Sequence, residues 1–333
     1  MHRPLRRRAP AVALAVAALA VLPGPASADE PVRCGGQIAT IVGGPGPDPL
    51  VGTAGRDVIA ALGGNDRVWA GPGDDLICLG DGNDTLTGGA GDDLLFVDDV
   101  PDGADAFAGG TGVDTAEYSG RATPLAVSLD NRDDDGARDE RDNIHVDVEN
   151  VDGGRGRDTL RGSAEDNLLR GGDGGDVIES GSGDDVLRGS LGDDIFVPGF
   201  GDDSVSGGDG NDRAVAEAGV DGADRYQGGS GRDIMSYAAR TTAIQVFVDG
   251  AANDGAASEL DNVGAEKDVE HVIGGSSADR FNARAFFGGV HFEGRAGDDG
   301  FTTTNNTVDT LDGGIGFDRC LADPTDIRIS CEG

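Results

Sequence analysis

The sequence predicts an all-β chain wound into a solenoid, and three observations carry that expectation. Six nine-residue units follow one another without a gap from Gly43 to Phe96. The fourth place is glycine throughout (Gly46, Gly55, Gly64, Gly73, Gly82, Gly91), and the sixth is aspartate (Asp48, Asp57, Asp66, Asp75, Asp84, Asp93). The eighth place is aliphatic (Leu50, Ile59, Val68, Ile77, Leu86, Leu95). A period this strict sets a stacked-unit architecture before any single element is assigned.

Residues 1–28 stand outside that fold. Arg3, Arg6, Arg7 and Arg8 form a basic start, Ala11 to Leu22 a short apolar run, and Ala26-Ser27-Ala28 a small-residue cleavage pattern. Together they read as a Sec-type signal peptide, with the mature chain starting at Asp29. The apolar run is too short and alanine-rich for a membrane span, and no later stretch is apolar enough. The expected localisation is therefore secreted, extracellular.

The chain carries 62 acidic against 26 basic residues, a formal net charge of −36. Four of the basic residues lie in the leader, so beyond it 62 acidic residues face 22 basic ones and the net charge is −40. Such a surface repels nucleic-acid phosphates and attracts cations. The four cysteines (Cys34, Cys78, Cys320, Cys331) belong to an oxidising compartment. Sequence alone allows three pairings; the positions near the two ends favour Cys34–Cys78 and Cys320–Cys331.

In chain order, residues 29–42 are an N-terminal cap and 43–117 a first array, which resumes after the insertion Val97-Asp98-Asp99 with Asp105 and Asp114 at the sixth place. A second array, 153–236, has sixth places at Asp158, Asn167, Asp176, Asp185, Asp194, Asp203 and Asp212. After Ala216-Glu217-Ala218 it continues with Asp224 and Asp233. A degraded third array, 274–321, carries Asp279, Asp299, Asp309 and Asp318, with Val290 in the place of a fifth; 322–333 is a C-terminal cap. Two connectors, 118–152 and 237–273, are copies of each other at an offset of 119 residues. Tyr118, Arg121 and Thr123 match Tyr237, Arg240 and Thr242, and both copies end in Asp-Val-Glu. Their period-2 stretches, Leu125 to Asp130 and Ile244 to Asp249, predict short strands followed by an acidic loop.

The unit G-G-x-G-x-D-x-U-x has a direct physical reading. Its first six residues are turn-formers, glycine supplying positive φ. Its last three, with one large apolar side chain, suit a very short strand. Two units make one flattened coil of strand–turn–strand–turn, and stacked coils pair their strands in parallel about 4.8 Å apart. The eighth-place side chains then form the core, later members including Phe107, Leu160, Leu169, Ile178, Leu187, Phe196, Val205, Tyr226, Phe281, Phe301 and Leu311.

Stacking also aligns the aspartates, every second unit on one edge. Unit charges about 5 Å apart at an effective dielectric of about 20 cost roughly 3 kcal/mol per pair. The metal-free coil is therefore expected to be unstable, and a hard dication between successive turns would remove the repulsion. Oxygen-only donors and irregular geometry fit Ca²⁺ better than Mg²⁺, and columns without cysteine or histidine do not fit zinc.

The unit resembles the nonapeptide repeat of the RTX (hemolysin-type) calcium-binding family over about two thirds of the chain beyond the leader. The resemblance implies a parallel β-roll, a right-handed β-solenoid, with Ca²⁺ between adjacent turns. Carried over, the ligands are Asp48, Asp57, Asp66, Asp75, Asp84 and Asp93 in the first array. In the second they are Asp158, Asp176, Asp185, Asp194, Asp203 and Asp212. The unit 162–170 departs from the pattern at Glu165 and Asn167, which puts its site in doubt. Ser277, Val290 and Thr307 break the third array, where few or no sites are expected.

One further acidic cluster, Asn131, Asp133, Asp135, Gly136, Asp139 and Asp142, has the spacing of an EF-hand loop. The copy replaces its first two ligands by Gly250 and Ala252, and no amphipathic helices flank either loop. A solvated acidic loop is the expectation, with a non-EF calcium site as the alternative. No HExxH, G-x-S-x-G or Walker motif occurs, and His145, His271 and His291 sit in unrelated sequence contexts. The expected protein is a secreted, non-enzymatic calcium-binding repeat protein with a structural or surface-interaction role and an unnamed extracellular partner. The alternative is an enzyme, toxin or adhesin in which the roll is an accessory module.

Overall fold

The computed structural model describes residues 31–264, 268–284 and 288–332. The signal-peptide assignment and its cleavage pattern lie outside the described residues. The described residues form strands and turns only, in a parallel β-solenoid of about fifteen turns. None of them belongs to a helix long and apolar enough to cross a membrane.

In the first two arrays a nine-residue unit typically ends in a strand of three residues or starts one of six, as in Val58–Ala60 and Arg67–Pro72. One coil later the same places pair in register: Val68 with Leu86, Ile77 with Leu95, Leu169 with Leu187. The eighth-place residues consequently stack into a single interior, with Ile59, Ile77, Phe107, Leu160, Phe196 and Leu311 fully buried. Leu50, in the first coil, is only partly covered.

The ladders are arranged as two long and two short sheets. A short sheet runs from Pro49–Val51 to Asn143–Ile144, opposite the start of an eleven-stranded sheet that runs from Ile41–Val42 to Asn262–Val263. A second eleven-stranded sheet runs from Gly136–Ala137 to Ile327–Ile329, and a second short sheet from Gly255–Ala256 to Arg319–Ala322. The two connectors create this stagger. In the first, Leu125–Ser128 pairs forward with Thr159–Arg161 and antiparallel with Gly136–Ala137. Asn143–Ile144 then closes the short sheet against Ala106–Thr111, while Asn150–Gly154 carries the long sheet onward. The second connector repeats every one of these pairings. Each connector thus ends one ladder, begins another, and lets the opposite one run past.

A buried ion cluster holds each connector. Arg121, fully buried, donates to both oxygens of Glu140 at 2.9 and 2.7 Å and to Asp102 at 3.1 Å. Arg240 donates to Oε1 of Glu259 and to Asp221. The connector loops are solvated only in part: Asn131, Asp133 and Asp139 are exposed as expected, but Asp135, Glu140 and Asp142 are buried, which corrects the expectation for those three. Asp135 accepts the N–H groups of Ser128 and Ile144 at 2.6 and 2.7 Å, Glu140 that of Ala137 at 2.6 Å, and Asp142 that of Asp105 at 3.0 Å. Those carboxylates lie inside the solenoid, where backbone amides and one arginine satisfy them.

Both cysteine pairs expected from chain position are bonded, Cys34–Cys78 with a Cα–Cα distance of 5.6 Å and Cys320–Cys331 with 5.9 Å. The first ties the antiparallel pair Arg33–Cys34 and Gln37–Ile38 to the opening coils. The second closes the last turn.

Candidate metal centre

Every sixth-place carboxylate points into its own turn, and all but Asp48 are buried. The spacing of the coil explains how such residues are held. The backbone N–H of one aspartate donates to Oδ1 of the aspartate one coil further on, which joins the turns into columns. On one edge of the first array Asp48, Asp66, Asp84, Asp105 and Asp142 are linked in this way at 2.8, 2.7, 2.8 and 3.0 Å. On the other, Asp57, Asp75, Asp93, Asp114 and Glu149 are linked at 2.7, 3.0, 2.8 and 2.7 Å.

The second array has the column Asp158, Asp176, Asp194, Asp212, Asp233 and Glu270, at 2.7 to 2.9 Å. Its companion runs Asn167, Asp185, Asp203, Asp224 and Asp261, at 2.7 to 3.1 Å. All twelve aspartates carried over as ligands are therefore in these four columns. So are Asp105, Asp114, Asp224 and Asp233, which stand beyond the insertions and were not among the twelve. The third array, expected to hold few or no sites, places Asp279, Asp299, Asp318 and Glu332 in the same relation at 2.7 to 2.8 Å. Ser277, in the same unit as Asp279, does not disturb this column, and Val290 and Thr307 belong to the other one.

Glu149, Glu270 and Glu332 close columns, as do Asp142, Asp261 and Asp326. Sequence reasoning gave Asp142 a place only in an EF-hand-like loop and did not assign the others to a column, because none occupies a sixth place. The internal duplication, which aligns Asp142 with Asp261 at an offset of 119 residues and Glu149 with Glu270 at 121, was the available signal.

Only one oxygen of each carboxylate is served by the ladder. Among the described residues Oδ2 is buried without a hydrogen-bond partner in Asp66, Asp75, Asp84, Asp93 and Asp114 of the first array. The same is true of Asp176, Asp185, Asp194, Asp203, Asp212 and Asp233 in the second, and of Asp299, Asp309 and Asp318 in the third. The glycine at the first place of the unit shows what faces that oxygen. A Cβ on Gly189 would collide with Asp194 Oδ2 and lie 2.6 Å from the Gly207 carbonyl oxygen of the next coil. On Gly228 it would lie 2.5 Å from both Asp233 Oδ2 and the Asp268 carbonyl oxygen. Gly88, Gly109, Gly207, Gly294 and Gly313 form the same cradle. Two acceptors converge there with no donor between them. In other units the first place carries a side chain, and Ser180 Oγ donates into the Pro198 carbonyl at that point.

The electrostatics agree with an unmet demand for positive charge. Burial, the largest cause, pushes the carboxyls of Asp84, Asp93, Asp176 and Asp212 up to about 6. It pushes those of Asp114, Asp194, Asp203, Asp233 and Asp299 up to about 7. The incoming N–H lowers each value, and neighbouring acidic residues raise it again. Desolvation thus outranks the column repulsion on which the sequence argument relied.

These residues fit a hard dication. Among the described residues no three His, Cys, Asp or Glu side chains converge on one point. A cation would therefore combine Oδ2 with turn carbonyls such as that of Gly207, an oxygen-only set of the kind calcium takes. Histidine takes no part. His271 and His291, unrelated in sequence context, are brought together on adjacent strands with ring centroids 4.2 Å apart.

The profile of the RTX calcium-binding nonapeptide repeat matches residues 42–77, 79–99 and, in overlapping copies, 152–187, 170–205, 180–214, 188–221 and 218–236. These matches fall in the first two arrays, while the third, whose Gly294 and Gly313 form the same cradle, lies outside them. A search of characterised proteins found no match for the chain.

Proposed function

The chain carries the RTX calcium-binding nonapeptide repeat, and from that premise we propose a secreted structural protein whose folding is coupled to Ca²⁺ binding in the aspartate columns. The observation that carries this reading is the set of buried Oδ2 atoms facing carbonyl oxygens with no donor between them. Two buried acceptors held together are costly without a positive charge. Calcium supplies that charge when bound. The chain supplies the rest: Oδ1 fixes the next turn, Oδ2 and the first-place carbonyls form the donor set, and the glycines keep it open.

Extracellular localisation is supported by the secretory pattern at 1–28 and by two disulfides in so short a framework. Extracellular calcium sites commonly have a Kd of about 10⁻⁴–10⁻³ M. Low cytosolic calcium would leave the acidic chain unfolded for export, and the higher level outside would order it. We read the protein as a non-enzyme because the repeat accounts for its clustered carboxylates and the sequence carries no HExxH, G-x-S-x-G or Walker motif. A far-UV circular dichroism titration from EDTA to about 5 mM Ca²⁺ tests the reading: a gain of β signal is expected, and a flat titration sinks it.

A further inference from the structure

Resting on the calcium reading, we propose that the turn opening each column holds no cation, so that binding starts at the second coil. Asp48, Asp57, Asp158, Asn167, Asp279 and Val290 open the six columns. In the five openers that have a polar side chain, the second-place N–H of the same turn donates to the oxygen that is otherwise left free. Gly44 donates to Asp48 Oδ2 at 2.6 Å, Thr53 to Asp57 Oδ2 at 2.6 Å, and Gly154 to Asp158 Oδ2 at 2.9 Å. Ser163 donates to Asn167 Oδ1 at 2.7 Å and Gly275 to Asp279 Oδ2 at 2.8 Å.

Later turns have this peptide turned over. Except in the three turns that follow an insertion, at Pro101, Val220 and Asn305, their second-place residues take positive φ, 106° at Gly172 and 116° at Gly208, and also at Leu62, Ser190 and Arg295, side chains that rarely adopt it. The N–H then points away, and Oδ2 of the buried Asp66, Asp194 and Asp299 has no partner. The two orientations are alternatives: an amide proton on Oδ2 takes the place that a cation needs.

The openers are otherwise complete. Oδ1 of Asp158 accepts Leu125 N–H at 2.9 Å and that of Asp279 accepts Ile244 N–H at 3.0 Å, so both oxygens are satisfied. A carboxylate with amide donors on both oxygens is stable as the anion without a metal. Asn167 shows that the charge itself is dispensable there, because its Nδ2 donates to the Glu149 carbonyl at 3.1 Å. The two units whose sixth place is not aspartate, at Asn167 and Val290, are both openers. A residue that cannot supply a carboxylate is found only where no cation is required.

Calcium bound by the full chain, counted by equilibrium dialysis and atomic absorption, tests this with three variants. Asp158→Asn is expected to keep the wild-type count and to move the calcium midpoint by less than about twofold. Asp194→Asn should lose at least one ion and move the midpoint by about tenfold, the equivalent of one charge-assisted contact. Asn167→Asp, which needs no loss of structure to be informative, should gain no ion. An ion lost in Asp158→Asn whose β signal in saturating calcium is intact, or one gained in Asn167→Asp, overturns the inference and leaves the calcium reading standing. A wild-type chain that takes up no calcium overturns both.

Discussion

Asp194 donates its backbone N–H to Oδ1 of Asp212 at 2.9 Å, while Oδ2 of the same Asp212 is buried with no donor. One carboxylate thus carries two jobs, a ladder bond on one oxygen and an unmet demand on the other. The two jobs can be separated experimentally.

Asp212→Asn retains an acceptor for Asp194 N–H and places an amide N–H₂ where Oδ2 faces the Gly228 carbonyl. The variant should be more ordered than wild type in EDTA, by about 1 kcal/mol, and bind less calcium. Urea melts with and without calcium measure both effects; an unchanged EDTA melt would show that Oδ2 is not a source of instability.

Acidity should partly replace calcium. Asp194, Asp203, Asp233 and Asp299 have carboxyls raised by burial from an ordinary 3.8 to about 7. A carboxyl raised on folding favours the folded state while protonated, so its contribution is complete below about pH 4 and is lost as pH rises through about 7. The β signal in EDTA should therefore fall from pH 5 to pH 8, and the calcium midpoint at pH 6 should exceed that at pH 8. A metal-free chain that gains structure with rising pH contradicts this.

The cradle glycines should be intolerant where equally frequent glycines are not. A methyl on Gly207 would collide with Asp212 Oδ2 and the Gly228 carbonyl, whereas one on Gly46 meets nothing within 4 Å. Gly207→Ala should cost about 1–3 kcal/mol in calcium and Gly46→Ala less than about 0.5 kcal/mol. Thermal melts at saturating calcium compare them directly.

The connectors should fail when their buried charge is removed. Arg240→Met strands Glu259 and Asp221 inside the solenoid, a loss of about 3–5 kcal/mol. Tyr237→Phe, which removes only the bond to Asp261 Oδ2 at 2.9 Å, should cost about 1 kcal/mol. Equal losses in the two variants would mean that the arginine acts by packing alone.

The resemblance placed the twelve carboxylates in their columns because each sits at one fixed place of a unit that repeats its own turn chemistry. It did not separate Asp158 from Asp176, since both occupy a sixth place; only the orientation of one peptide above each distinguishes a capped turn from an open one. Nor did it give Arg121 or Tyr118 a role, because their partners Glu140 and Asp142 approach across a loop whose course the period does not describe.

By itself the sequence determined the coil: glycine at the turns, one aliphatic residue per strand and a strict nine-residue step allow few other ways to bury the chain. The tertiary structure decided where the ladders stop and restart, and which acids close the columns. It also decided which carboxylate oxygens keep a donor. Those outcomes depend on contacts such as Asp105 with Asp142, 37 residues apart. A local repeat propagates by neighbour-to-neighbour stacking, whereas its interruptions are settled by groups that meet only after the coils on either side have formed.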